Sequence, residues 1–190
     1  MRIAGIQKVS ITNGTGIRDV IFLQGCPHHC VGCQNPQTWN PDGGTEMTLD
    51  EVMSEIKHSS NNITISGGEP FRDRNQLIRL VEKINECFPT KTIWIYTGYK
   101  LEELNPWVLA FLSIRNVDVI VDGRYVEDWK STELRFRGSS NQRLIDLQRS
   151  YRESSLCKRT HSCRTGRLIQ QPFIPEEVVI DTTPVNVAVL

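Results

Sequence analysis

Three of the six cysteines of the chain lie within eight consecutive positions, in the stretch GCPHHCVGCQNP. Cysteine thiolates hold zinc ions or iron–sulfur clusters. A structural zinc takes four ligands, usually from two separated pairs, and a cubane 4Fe–4S cluster has four irons to cap. Cys26, Cys30 and Cys33 supply three thiolates from one compact loop and leave one iron without a protein ligand. Since catalytic metal sites keep such an open position, the spacing predicts a catalytic cluster.

Other interpretations of the cysteines and histidines are possible. A zinc site could be completed by His28 or His29, or by the later residues Cys157, His161 and Cys163. We expect instead that both loop histidines are exposed near the cluster and that the later three residues have no metal role. Cys87 lies beside an apolar helical stripe and is expected to be a passive, partly buried side chain.

Short apolar runs alternate with helical patterns along the chain. Residues 20–23, 63–66, 92–96 and 117–121 are rich in β-branched or aromatic residues and predict buried strands. Three stretches show helical periodicity. The first follows a Thr48-x-x-Glu51 capping box, the second runs from Leu77 until Pro89, and the third covers 101–112 with a break near Asn105–Pro106. The alternation predicts a mostly parallel α/β sheet with right-handed crossovers.

Each predicted strand is followed by a loop with distinctive residues. These loops are Gly25–Cys33, Gly67–Pro70, Thr97–Tyr99 and Asp122–Arg124. Because the carboxyl ends of parallel strands meet at one edge of a sheet, ligands bind there. We expect all four loops to open on that edge and to form the functional site.

Length and charge narrow the class of protein. A chain of 190 residues predicts one domain, here residues 1–150, with a C-terminal extension over 151–190 of unknown role. Twenty-two basic and 22 acidic residues give no net charge, which argues against nucleic-acid binding. No signal peptide is evident, and no apolar run approaches the roughly 20 residues of a membrane span. We therefore expect a cytoplasmic protein with no membrane partner, in which cysteines stay reduced.

The cysteine motif, followed after the next strand by Gly67-Gly68-Glu69-Pro70, resembles the radical S-adenosylmethionine (radical SAM) enzymes. Further motifs narrow the resemblance to the glycyl-radical activases of anaerobic (class III) ribonucleoside-triphosphate reductases. They are NGTGIR at 13–18, WIYTGY at 94–99, VDGRYV at 121–126 and RGSSNQR at 137–143. The resemblance covers about residues 1–150, and the motifs occur in the same order as in the family.

The resemblance implies a chemistry. The free iron of the cluster would bind the amino and carboxylate groups of SAM, and one electron would cleave its C–S bond to give methionine and a 5′-deoxyadenosyl radical. That radical would abstract hydrogen from a glycine near the C-terminus of the large reductase subunit, leaving a glycyl radical. The implied partners are this subunit and an electron donor such as reduced flavodoxin.

The resemblance also assigns residues. Cys26, Cys30 and Cys33 would hold the cluster, and no side chain is catalytic beyond the cofactor ligands. Contacts with SAM would come from Gly32, Cys33 and Gln34 in one loop and from Gly67, Gly68 and Glu69 in the other, where glycines let the backbone approach closely. Possible contacts to SAM or to the partner are Arg18, Arg124, Arg137, Ser139, Ser140 and Asn141.

The expected fold is a shortened radical SAM β/α barrel, open on one side, with an irregular C-terminal tail. An open edge suits a substrate that is a peptide loop of another protein. The chain departs from the family pattern at Gln34, where an aromatic residue is common, and at Thr15, where proline is common. Two rival hypotheses are another short radical SAM enzyme, either a different glycyl-radical activase or an enzyme of deazapurine synthesis, and a zinc-stabilised binding module.

Overall fold

A computed structural model describes residues 1–113 and 115–150 of the chain. Residues 151–190 lie outside the described part, and with them Cys157, His161 and Cys163. The predicted irregular extension and the absence of a metal role for these three residues therefore stay predictions.

The described residues form a seven-stranded sheet with the strand order β3-β1-β2-β4-β5-β6-β7. The strands are β1 (Arg2–Ser10), β2 (Arg18–Leu23), β3 (Thr45–Glu46), β4 (Asn62–Gly67), β5 (Ile93–Tyr96), β6 (Val117–Asp122) and β7 (Arg143–Asp146). Strands β2, β4, β5 and β6 run parallel to one another, and the flanking pairs are antiparallel. Within the described residues the sheet does not close, so the predicted open α/β architecture is confirmed.

Helices connect the parallel strands, as predicted. They are α1 (Leu49–Ile56), α2 (Arg74–Cys87) and α3 (Pro106–Ser113), with 3-10 turns at Pro36–Thr38, Pro70–Asp73, Leu101–Glu103 and Glu127–Trp129. The capping box forms: Glu51 N donates to Thr48 Oγ1 at 3.2 Å, and Thr48 N donates to Glu51 Oε2 at 2.7 Å. Pro106 opens α3, because its missing N–H is not needed in the first turn.

The two faces of the sheet bury different side chains. Ile21, Ile65 and Ile95 point toward the helices and belong to the main apolar core. A smaller cluster, which includes Trp94 and Val121, lies on the opposite face. There the ring of Phe136 packs edge-on against Trp94 with centroids 5.4 Å apart. The strands are therefore covered on both sides, as their continuous hydrophobicity predicted.

Strands β1, β3 and β7 were not predicted. Gly5 interrupts the apolar pattern of β1, and residues 7–9 of that strand are exposed. Strand β3 has only two residues, both exposed, and β7 has four residues in a polar stretch. Each of these strands is specified by pairing with another strand, so local pattern did not reveal it.

Arg18 is completely buried at the start of β2. Its Nε donates to Thr64 Oγ1 at 2.7 Å, one terminal nitrogen donates to the Ile63 carbonyl at 2.5 Å, and its guanidinium lies 5.3 Å from the Trp94 ring centroid. Burial lowers the pKa of Arg18 to about 10, and nearby Asp118 opposes that shift. The side chain ties β2 to the neighbouring strand β4 at their amino ends.

No helix in the described part of the chain is both long and apolar enough to cross a membrane.

We predict that Arg18→Met lowers the free energy of unfolding by about 3 kcal/mol, because it leaves buried hydrogen-bond acceptors and Asp118 without their cationic partner. The measurement is urea unfolding followed by circular dichroism. Arg79→Met, at an exposed position of α2, is the matched control and should change stability by less than about 0.5 kcal/mol. Equal effects of the two substitutions would contradict the assigned role of Arg18.

Candidate functional site

The four loops that follow the parallel strands meet around one cavity of about 150 Å³, which confirms the predicted shared edge. Its lining contains all three motif cysteines and residues from each of the other loops. Among them are Gly67 and Gly68 after β4, Thr97 and Gly98 after β5, and Gly123 and Tyr125 after β6. Gln34 and Gln142 also line the cavity.

Backbone hydrogen bonds hold the start of the cysteine loop. Gly25 N donates to the Thr38 carbonyl at 2.7 Å, and Cys26 N donates to the Trp39 carbonyl at 3.1 Å. The loop then turns through left-handed conformations at His29 (φ 47°) and Gly32 (φ 73°). Glycine accepts that conformation without strain, which gives Gly32 a backbone role in shaping the loop.

Burial raises the pKa of the Cys26 thiol, and the nearby Glu69 carboxylate raises it further. Burial also raises the pKa of Cys30. Thiolates are the species that bind metal, so both side chains would release a proton on ligation, and the cation would supply the compensating charge.

The three motif cysteines lie around one cavity, as the ligands of a cluster would. In the described residues no three His, Cys, Asp or Glu side chains converge as ligands of one ion would. A cubane cluster places each thiolate on a different iron, so its three cysteines need only surround a common space. Cys26, Cys30 and Cys33 do so, with Asn35 N donating to Cys33 Sγ at 3.4 Å.

The glycines after β4 lie directly against the end of β2. Gly67 has φ 95°, and a Cβ there would lie 2.6 Å from Leu23 N. A Cβ on Gly68 would meet the carbonyl group of Gly25. The close approach lets Gly68 N donate to the Leu23 carbonyl at 2.8 Å and Glu69 N to the Gly25 carbonyl at 2.9 Å. This turn and the cysteine loop therefore form one unit.

The buried Glu69 carboxylate is hydrogen-bonded to groups from three loops. Its Oε1 accepts from Phe71 N at 2.9 Å and from Thr97 Oγ1 at 2.8 Å. Its Oε2 accepts from Gly98 N at 2.8 Å and lies 2.8 Å from His28 Nε2. The carboxylate therefore orders its own turn and also joins the loops after β2 and β5.

The expectation that both loop histidines are exposed is wrong for His28. Its side chain is only 4% exposed, its ring packs edge-on against Tyr99 at 4.6 Å, and it lines the cavity. His29 is exposed, as expected, and its ring lies 5.0 Å from that of Trp39. The burial of His28 depends on a carboxylate 41 positions away, which no local pattern reveals.

Glu127 lies against Gly32 of the cysteine loop, and Tyr125 lines the cavity beside it. Tyr125 Oη donates to Glu127 Oε2 at 2.5 Å, and this hydrogen bond raises the pKa of Tyr125 to about 12. A Cβ at Gly32 would collide with the Glu127 carboxylate, so the glycine makes room for this contact. Sequence reasoning did not single out either side chain, although both follow the fourth predicted loop.

The six residues predicted as possible partner or SAM contacts lie in different parts of the structure. Arg18 is buried at the amino ends of the strands, at the opposite end of β2 from the cysteine loop, and does not line the cavity. Ser139 is buried and its Oγ accepts from Val126 N at 3.2 Å, while Ser140 N donates to the Trp129 carbonyl. These contacts stabilise the chain itself.

Arg124, Asn141 and Arg137 lie nearer the open edge. Arg124 is exposed and its positive charge favours the thiolate form of Cys30, and Asn141 Nδ2 donates to the Arg124 carbonyl at 2.7 Å. One terminal nitrogen of Arg137 donates to the Gln142 carbonyl at 2.9 Å. Any contact of these residues with a ligand or partner stays a prediction.

A larger cavity of about 910 Å³ opens beside the first one, on the face of the sheet that is not covered by helices. The two share Asn13, Gln34, Asn35, Tyr96 and Gly138. Segment 130–138, which includes Lys130, Arg135 and Arg137, forms one wall of the larger cavity. A large ligand could therefore reach the rim of the cysteine cavity from outside.

Comparisons with known proteins agree with the site geometry. Residues 12–145 match a family profile described as a 4Fe-4S single cluster domain. The chain is 38% identical over 142 residues to the anaerobic ribonucleoside-triphosphate reductase-activating protein of Escherichia coli (strain K12), covering 70% of this chain and 91% of that protein. It is 37% identical over 145 residues to the protein of the same name from Enterobacteria phage T4, covering 73% and 90% of the two chains.

Among solved structures, the chain is similar to QueE from Escherichia coli, with a TM-score of 0.47 and 18% sequence identity. The similarity covers 66% of this chain and 60% of that one. A likeness at this level supports no conclusion about function.

We predict that Gly68→Ala destabilises the protein by about 1–3 kcal/mol, because its Cβ would push against the Gly25 backbone and nothing flexible can yield. Gly5→Ala is the matched control, since a Cβ there meets nothing within 4 Å. Urea unfolding of both variants measures the difference. A Gly68→Ala protein as stable as the Gly5→Ala protein would show that the two loops are not packed as described.

Proposed function

Because the chain belongs to the family of anaerobic ribonucleoside-triphosphate reductase-activating proteins, we propose that it activates an anaerobic ribonucleotide reductase by radical SAM chemistry. The observation that carries the proposal is the single cavity that holds three cysteines and the Gly67–Gly68 turn. The alternative of another short radical SAM enzyme is not favoured, since relatives from bacteria and a phage share this one name.

Cys26, Cys30 and Cys33 would hold a 4Fe–4S cluster with one open iron. The loop is suited to this because its start is fixed by backbone hydrogen bonds and its turn at Gly32 exposes the cysteines to a common space. When bound, the cluster supplies the electron that cleaves the C–S bond of SAM to methionine and a 5′-deoxyadenosyl radical. The protein contributes binding, orientation and shielding.

SAM would lie against the glycines after β4 and against Gly32, Cys33 and Gln34 of the cysteine loop. Gly67 and Gly68 offer backbone without side chains at the cavity wall. The Glu69 carboxylate is already engaged by four protein groups, so its part would be to hold the turn in place. Gln34 lines both cavities, which suits a contact with the part of SAM that points toward the substrate.

The partner would be the large reductase subunit, with its glycine-bearing segment entering the larger cavity. Two observations support this placement: the cavity volume of about 910 Å³, and the five residues that it shares with the cysteine cavity. A short sheet that stays open at this side leaves room for a loop of another protein. The electron donor would be a small reduced redox protein such as flavodoxin.

We predict that the anaerobically reconstituted protein forms 5′-deoxyadenosine from SAM in the presence of a strong reductant, and that the triple variant Cys26→Ala, Cys30→Ala, Cys33→Ala loses this activity entirely. Cys87→Ala should keep it, because Cys87 lies outside the cavity and is exposed, so the expectation that it is partly buried is wrong. Product is measured by chromatography, together with iron, sulfide and zinc content. Uptake of zinc without sulfide would overturn the proposed chemistry.

We predict that Thr132→Trp, which places an indole in the mouth of the larger cavity, lowers glycyl-radical formation on the reductase at least about tenfold while SAM cleavage without the partner is unchanged. Electron paramagnetic resonance of the mixture measures the glycyl radical. Thr132→Ser is the control and should behave as the wild type. Unimpaired radical formation by Thr132→Trp would place the partner's segment elsewhere.

A further inference from the structure

His28 is buried between the cysteine loop and the loop after β5, although it lies between two cluster cysteines in sequence. Its Nε2 lies 2.8 Å from Glu69 Oε2, and the two side chains are 4% and 0% exposed. A Cβ on Gly98 would meet the imidazole ring, and Tyr99 packs edge-on against that ring. The ring is therefore held in one position.

The surroundings of the Glu69 carboxylate suit a donating imidazole. Phe71 N and Gly98 N are backbone amides that donate to its two oxygens. A carboxylate accepts hydrogen bonds, so the His28 tautomer with its proton on Nε2 donates to Oε2. A hydrogen bond to a charged group is worth more than one between neutral groups, especially away from water.

This contact joins the middle of the cysteine loop to the turn after β4. Backbone bonds from Gly68 and Glu69 hold the turn after β4 to residues 23–25, at the start of the cysteine loop. His28 extends that attachment into the middle of the loop, between Cys26 and Cys30. The position of the middle of the cysteine loop relative to Gly67 and Gly68 therefore depends on the His28 imidazole.

We propose that His28 is a positioning residue for SAM binding. By donating a hydrogen bond to Glu69, it fixes the cysteine loop against the Gly67–Gly68 turn, so that the open iron and the turn can both bind SAM. This inference rests on the proposed function, because it requires a cluster with an open iron. In this role His28 acts through the placement of the loop.

The test compares variants at equal cluster content. His28→Leu keeps the approximate volume but has no donor, whereas His28→Gln has an amide that can donate to Glu69. His29→Asn removes the other imidazole of the same loop, and asparagine tolerates the left-handed backbone there. Each protein is reconstituted anaerobically, and SAM is titrated into the reduced protein while its electron paramagnetic resonance spectrum is recorded.

We expect His28→Leu to assemble the cluster with wild-type iron and sulfide content. Its dissociation constant for SAM should be at least about tenfold higher, because the variant loses one hydrogen bond to a charged group. His28→Gln should recover most of the affinity, and His29→Asn should match the wild type. Equal SAM affinity of His28→Leu and wild type at equal cluster content overturns the proposal.

Two failures of the experiment also have a defined interpretation. If His28→Leu fails to assemble a cluster, the comparison passes to His28→Gln and His28→Asn, since the shorter asparagine does not reach Glu69. Rescue by glutamine alone supports the proposal, and equal behaviour of the two overturns it. Failure of the wild type itself to show a SAM-dependent spectrum counts against the proposed function, which separates the two claims.

Discussion

The arrangement of the site depends on one buried carboxylate. Glu69 lies at the carboxyl end of β4 and is bonded to its own turn, to the loop after β5 and to the cysteine loop after β2. Burying a carboxylate is costly unless it is fully hydrogen-bonded, and here four donors satisfy it. The loops must therefore meet at this point for the carboxylate to be stable, and their meeting forms the cysteine cavity.

The sheet leaves one of its faces partly open beside the cysteine cavity. Four parallel strands bring the loops to one edge, and the helices cover one face of the sheet. The other face is covered in part by Phe136 and its neighbours, and there the larger cavity opens. In the proposed function, the shielded chemistry and the partner would use adjoining cavities with a common wall, in which Tyr96 and Gln34 take part.

Much of the sheet and of the loop arrangement could be predicted from the sequence, because the sequence patterns that indicate them are local. The four parallel strands, the capping box of α1 and the glycine-rich loop ends follow from periodicity and residue type. The strand order predicted that the cysteine loop and the other three loops meet at one edge of the sheet, and they do. What local pattern could not supply depends on distant contacts: β7 exists because it pairs with β6, and Arg18 is buried because β4 offers it acceptors. His28 was misjudged for the same reason, since its partner lies in another loop.

The central claim is that the three cysteines leave one iron of the cluster open for SAM. The most direct test is electron–nuclear double resonance on the reduced protein with SAM that carries isotope labels in its amino and carboxylate groups. The account predicts hyperfine coupling of both labelled groups to the cluster, as expected when they are ligands of one iron. A reduced 4Fe–4S cluster that binds SAM without coupling to either group would contradict it.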